Sequence, residues 1–209
     1  MKFGANNISN IYRYNFLDII TIKNSNFFWK IVDNLSYKLE KLGNLYEKTI
    51  SKSYIRETEL FDISGSKNIL HIGCGTYPIT TITLAKFNGG NIVGIDKNPK
   101  AVEKADEIIR KKGFSNRVKI EKGDGESYPV DKFDAIIVSS CSIPKSKILE
   151  NLFNSAKKDC KIIVRERLGP SKLVSSYIDI YAGSISFVNK IHNYAFPTFH
   201  WESFYLLKK

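Results

Sequence analysis

Cysteine is scarce in this chain. Its 209 residues include three, an odd number, at positions 74, 141 and 160. That spacing supports neither a disulfide framework nor a zinc signature. Long apolar runs are missing too. No stretch approaches the roughly 18 consecutive apolar residues of a membrane helix. The opening Met1 to Asn7 has no apolar leader segment, so the cytoplasm is the expected compartment. Internal repeats and low-complexity tracts are absent. With 43% hydrophobic and 25% charged residues, the chain has the composition of an ordinary globular protein, not of a disordered one.

Positive charge is in surplus. Lys+Arg number 32 against 21 Asp+Glu, a net charge of +11. Residues 1–66 hold nine Lys/Arg and seven Asp/Glu, so most of the surplus lies beyond residue 66. Its densest run, Arg110-Lys111-Lys112, ends an expected helix, where cations complement the helix dipole. A solvated surface accounts for any single lysine. As a set they suit nucleic acid, anionic lipid or an anionic small molecule. No RNP, zinc-finger or helix-turn-helix pattern supports nucleic acid, which stays open as a partner but is not favoured.

Residues 1–23 mix Asn, Tyr and Ile without clear period, and residues 24–63 read as helices. Ser25 is the expected cap of a helix with an apolar stripe at Phe28, Ile31, Val32, Leu35, Leu39 and Leu42, and Gly43 its expected stop. A second helical stretch follows through Leu45, Ile50 and Tyr54, then a short third through Leu60. Ser64-Gly65-Ser66 is a break. From Lys67, strands alternate with helices. Strands are expected at 68–72, 91–95, 117–121, 133–139 and 160–165. Helices are expected at 78–87, 99–112, 145–157 and 173–181. Two aromatic-rich strands at 186–193 and 200–207, joined by a turn at Pro197, close the chain. Apolar strands alternating with helices imply a parallel sheet covered on both faces.

The sharpest motif is Ile72-Gly73-Cys74-Gly75-Thr76-Tyr77-Pro78, between a strand and a helix. Gly73 and Gly75 allow a tight turn and close approach of a ligand to the backbone. Pro78 stands where a dinucleotide fingerprint wants a third glycine, and proline is tolerated in a first helical turn. Asp96 ends the next strand, 23 residues after Gly73. A carboxylate there either holds a ribose diol or caps the helix before Pro99. Asp124, between Gly123 and Gly125, is either a turn residue or a reader of an adenine amino group.

Residues 67–207 resemble a class I S-adenosylmethionine-dependent methyltransferase domain. The resemblance rests on Ile72-Gly73-Cys74-Gly75, Gly94-Ile95-Asp96, Gly123-Asp124-Gly125 and Phe133-Asp134-Ala135-Ile136-Ile137-Val138. It implies an α/β fold: a Rossmann-like, doubly wound, mostly parallel sheet with an antiparallel C-terminal edge pair. Residues 1–66 form an N-terminal helical extension, on the acceptor side or as a lid, and residues 67–209 the cofactor domain. The resemblance also implies S-adenosylmethionine as cofactor. Its binding residues would be Gly73, Cys74, Gly75, Pro78, Asp96, Lys97, Asp124, Gly125 and Ser139. A narrower resemblance, to nicotianamine synthases, rests on Gly75-Thr76-Tyr77-Pro78-Ile79-Thr80-Thr81, Leu84-Ala85-Lys86, Asp96-Lys97-Asn98-Pro99 and Arg165-Glu166-Arg167-Leu168-Gly169. It implies aminopropyl rather than methyl transfer.

On the acceptor side, strand four leads into Ser139-Ser140-Cys141-Ser142-Ile143-Pro144. This lacks the Asn/Asp-Pro-Pro-aromatic motif of adenine- and glutamine-directed methyltransferases. Arg165 or Arg167 can clamp an anionic acceptor or the cofactor's carboxylate in a bidentate fork, or can pair with Glu166 on the surface. Glu57, Glu59 and Glu166 are the candidate bases, each also readable as a solvated acid. The catalytic set expected from the sequence is thus Glu57, Glu59, Arg165 and Arg167. No metal site is expected. A small-molecule acceptor is the leading expectation, then aminopropyl transfer, then RNA binding.

Overall fold

β-Branched, apolar runs bounded by glycine and asparagine make the strands that organise this molecule. The structure, a computed structural model, describes residues 16–195 and 199–209. In chain order the elements are α1 (Phe16–Lys38), α2 (Glu40–Leu60), β1 (Asn68–Ile72), α3 (Ile79–Phe87), β2 (Asn91–Asp96), α4 (Pro99–Lys111) and β3 (Val118–Lys122). Then come β4 (Ala135–Val138), α5 (Lys145–Ser155), β5 (Lys161–Arg167), α6 (Ser171–Ile180), β6 (Ile185–Ala195) and β7 (Phe199–Lys208). The sheet order is β3-β2-β1-β4-β5-β7-β6. The first five strands are parallel, and β7 runs antiparallel to both β5 and β6. This is the expected doubly wound sheet with an antiparallel end pair. The turn expected at Pro197 lies outside the described residues.

Alternation along each strand feeds two apolar layers. Leu70 and Ile72 face the layer holding Ile148, Leu149 and Phe153 of α5 and Val174 of α6. Ile69 faces the other, with Ile82 of α3 and Ile108 and Ile109 of α4. Ile50 of α2 and the following Phe61 and Ile63 belong to that second layer, and α2 packs on α3 and β6. The strand order reverses between β1 and β4, and their carboxyl ends leave a crevice there.

The N-terminal helices depart from the sequence reading. The helix begins by Phe16, within the stretch read as irregular, and does not start at Ser25. Ser25 is buried and its hydroxyl meets the Arg167 guanidinium, so it serves a tertiary contact instead of a cap. The break falls at Leu39, in extended conformation, and α2 then passes unbroken through Gly43. Gly43 serves packing: a Cβ there would lie 2.8 Å from the Ser36 carbonyl and 2.9 Å from the Tyr77 ring. The expected apolar stripe is not the buried face either. Phe28, Ile31, Leu35 and Leu39 are exposed, while Ile22, Ser25 and Ser36 are buried. The inner side of α1 carries polar residues because Asn26, Asp33 and Asn34 border a cavity at the strand ends.

Candidate active site

At the end of β1 the chain turns on two glycines in the left-handed region, Gly73 at φ +80 and Gly75 at φ +69. The Ile95 carbonyl accepts from Gly73 N at 2.9 Å and Cys74 N at 3.0 Å, fixing the loop to β2. A side chain at Gly73 would strike the Ser142 hydroxyl, and one at Gly75 the Asp33 carboxylate. Both positions are strained for any other residue. Pro78 takes the N-cap position of α3 and starts that helix without bordering the cavity.

Above this loop opens a cavity of about 470 Å³. It brings together ten residues expected from the sequence: Gly73, Cys74, Gly75, Asp96, Lys97, Asp124, Gly125, Ser139, Arg165 and Arg167. Asp96 Oδ2 accepts from Gly75 N at 3.0 Å and Oδ1 from Asn98 N at 2.9 Å. Each oxygen keeps capacity for a further hydrogen bond. Asp124 is exposed, its Oδ1 accepting from Glu126 N at 3.1 Å. Lys97 Nζ donates to the Ile143 carbonyl at 3.0 Å. Ser139 Oγ lies 2.8 Å from His71 Nε2, and His71 Nδ1 lies 2.9 Å from Thr81 Oγ1. Burial lowers the His71 pKa to about 3, so this imidazole is neutral. The left-handed glycines and the acceptor capacity of Asp96 fit a nucleoside cofactor with an extended tail.

Glu57 is not a base in this cavity. It is buried, and its Oε2 accepts from Arg165 Nε at 2.8 Å and Nη2 at 2.7 Å. Its Oε1 accepts from Asn193 at 3.1 Å, Trp201 at 3.2 Å and the Ser203 hydroxyl. A carboxylate so surrounded is saturated. Arg165, in turn, stacks 3.7 Å over the Tyr54 ring and donates to Thr80 Oγ1 at 2.7 Å. Its fork is therefore occupied by Glu57. Arg167, whose guanidinium meets Ser25, is the arginine left at the rim. Glu59 is exposed and borders nothing in the cavity. Two residues on a helix turn about 200°, so Glu57 and Glu59 face opposite ways. Nor is Glu166 a solvated acid: it is buried within 3.9 Å of Lys145 Nζ.

Sequence reasoning missed two residues here. Lys145 is fully buried and donates to the Ser139 carbonyl at 2.6 Å and the Arg165 carbonyl at 3.1 Å, tying the ends of β4 and β5. Burial lowers its pKa. Asp33, on α1, borders the cavity with its carboxylate against Gly75. Burial raises its pKa to about 8, against hydrogen bonds from the Thr76 and Tyr77 backbones, and the Asp96 charge raises it further. One signal was available: Asp33 is the lone acid between Asn24 and Leu39. Cys74 and Cys141 border the same cavity as unlinked thiols, and burial holds both above their usual pKa, Cys141 at about 11. Neither is a thiolate nucleophile. Among the described residues no group of three His, Cys, Asp or Glu is placed to hold a metal.

A family model described as Methyltransferase domain matches residues 63–175. The chain belongs to that family. This methyltransferase domain is S-adenosylmethionine-dependent in type, and its relatives differ in what they act on. The chain is 29% identical over 140 residues to a tRNA1(Val) (adenine(37)-N6)-methyltransferase of a Flavobacteriaceae bacterium, covering 67% of this chain and 58% of that one. It is 27% identical to a protein-L-isoaspartate O-methyltransferase of Methanococcus maripaludis, covering 61% and 63%. It thus spans less than two thirds of the length of these relatives. Among solved structures, the nicotianamine synthase MtNAS superposes with a TM-score of 0.72 at 17% identity, over 91% of this chain and 75% of that one. A SAM dependent methyltransferase from Aquifex aeolicus gives 0.61 at 16% identity, over 77% and 90%. At these identities the likeness is one of fold.

Proposed function

We propose that this methyltransferase domain transfers a methyl group from S-adenosylmethionine to a small-molecule acceptor. Residues 67–209 hold the cofactor, and residues 16–66, the described part of the N-terminal extension, cover the acceptor side. The observation that carries the reading is the placement of α1 across the strand ends. Trp29 and Asp33 of α1 and Tyr46 of α2 border the same cavity as the glycine loop, so the acceptor space lies between helices and sheet. A bounded space of this kind suits a small molecule better than a polymer.

In this reading Gly73, Cys74 and Gly75 pass the amino-acid tail of the cofactor along their backbone, and Asp96 accepts from the ribose diol. Asp124 and Gly125 border the base, while Lys97 and Ser139 frame the loop ends. The bound cofactor supplies a methyl group already activated by a sulfonium, so positioning supplies most of the catalysis. The chain accordingly presents no thiolate, and its one imidazole by the loop is neutral and pinned. Arg165, held by Glu57, is a positioning residue. Arg167 at the rim is the arginine available to an anionic acceptor, beside Lys30, Lys97, Lys100 and Lys104.

Aminopropyl transfer is the second reading. It is favoured by one observation: the likeness to MtNAS extends over 91% of this chain, against 77% for the Aquifex methyltransferase. The test is the nucleoside left after incubation with S-adenosylmethionine and a metabolite extract, identified by mass spectrometry. S-adenosylhomocysteine is expected. Methylthioadenosine would replace methyl by aminopropyl transfer.

A further inference from the structure

Two carboxylates flank Gly75. Asp96 reaches it from β2 through the backbone N–H at 3.0 Å, and Asp33 reaches it from α1, against its α-carbon. No ion pair among the described residues includes Asp33. The imidazole of this strand end supplies no positive charge, since His71 is neutral between Thr81 and Ser139. A half-buried carboxylate beside a second one, with two backbone N–H groups and no cation, is complementary to a small positive group. The cavity next to it is where the reading above puts the tail of the cofactor, which ends in an amino acid.

We propose that Asp33 receives the α-ammonium of the cofactor's amino-acid tail, so that α1 recognises the ligand directly and binding is coupled to release of a proton. The inference rests on the S-adenosylmethionine reading. The groups facing Asp33 are Asp96 at the end of β2, Cys74 in the loop, Tyr46 on α2 and Cys141 after β4. Lys30 and Lys104 lie at the rim of the same cavity, Lys104 bonded to Asn34. Without a cationic ligand, burial and Asp96 keep Asp33 protonated up to about pH 8. An ammonium at hydrogen-bond distance favours the carboxylate, and the displaced proton goes to solvent.

The experiment is titration calorimetry of the whole chain in two buffers of different ionisation enthalpy, near pH 7. S-adenosylmethionine is one probe. Methylthioadenosine, which lacks the amino acid, is the other. The wild type is expected to release close to one proton per S-adenosylmethionine and none with methylthioadenosine. Its affinity for S-adenosylmethionine should tighten about tenfold from pH 6 to pH 7, while Asp33 is the group losing the proton. Asp33→Asn should release none, bind S-adenosylmethionine about ten- to hundredfold more weakly, and bind methylthioadenosine as the wild type does. Unchanged affinity for S-adenosylmethionine in Asp33→Asn overturns the inference. So does a loss shared equally by the two probes, which marks a structural role. A wild type that binds neither probe refutes the cofactor reading itself, and this inference with it.

Discussion

Glu57 and Asp33 are acids on neighbouring helices with opposite surroundings, one in an ion pair and the other beside a second carboxylate. Glu57 pairs with a guanidinium and accepts from three further donors. Removing its charge strands Arg165 in the interior, so Glu57→Gln is expected to destabilise by about 3–5 kcal/mol, read from urea unfolding. Arg165→Lys should cost in the same direction, because a lysine cannot reproduce the fork or the stacking on Tyr54. Asp33 binds a proton in the folded chain up to about pH 8 but in the unfolded chain only near 3.8. Its contribution to stability is therefore whole below 3.8 and is lost as pH rises towards 8. Asp33→Asn should remove that loss, making the variant more stable than the wild type near pH 8 without ligand. His71 works in the reverse sense. Neutral in the folded chain down to about 3, against 6.5 for the free imidazole, it withdraws stability as pH falls through that interval. Replacing it by Asn should shift the acid-unfolding midpoint to lower pH, provided Ser139 and Thr81 keep their partners.

At the scale of elements, α1 and α2 form a hairpin with one extended residue, Leu39, at its bend. Gly43 lets the two helices meet over Tyr77. Gly43→Ala puts a methyl group within 3 Å of the Ser36 carbonyl and the Tyr77 ring. A loss of about 1–3 kcal/mol is expected in thermal or urea unfolding, with weaker S-adenosylmethionine binding because Tyr77 borders the cavity. The strands were readable in the sequence because a parallel strand buried on both faces is apolar along its length, as Ala135–Val138 is. The glycine loop and Asp96 were readable because their spacing along the chain is local. α1 was not, for a physical reason. Periodicity assigns the apolar stripe to the inside, yet this helix turns Asn26, Asp33 and Asn34 towards the cavity. Glu57 was readable as a notable acid but not in its role, because Arg165, Asn193, Trp201 and Ser203 come from strands far along the chain. Asp33 depends in the same way on a contact across more than forty residues, which no local pattern encodes.

For the whole molecule, the surplus charge has a narrower meaning than the composition gave it. Lys30, Lys97, Lys100, Lys104 and Arg167 border the cavity together with Asp33, Asp96 and Asp124, so the site carries both signs. A saturating cofactor should stabilise the entire fold: at a hundredfold excess over its dissociation constant, about 2.7 kcal/mol, measured as a thermal shift. Any RNA affinity arising from the net charge alone should fall steeply with salt and leave that shift unaltered. Among the described residues no helix is long and apolar enough to cross a membrane.

The strand order also carries a consequence for biosynthesis. β7 follows every other strand in the sequence yet sits inside the sheet, between β5 and β6. Until it has left the ribosome, β5 offers Ile162, Ile163 and Val164 along an unpaired edge, a template for pairing with another nascent chain. β6 pairs with β7 alone, so the two make a hairpin that assembles locally and then docks as a unit. Chains interrupted before Phe199 should therefore accumulate as aggregates, even though every residue of the glycine loop is already in place.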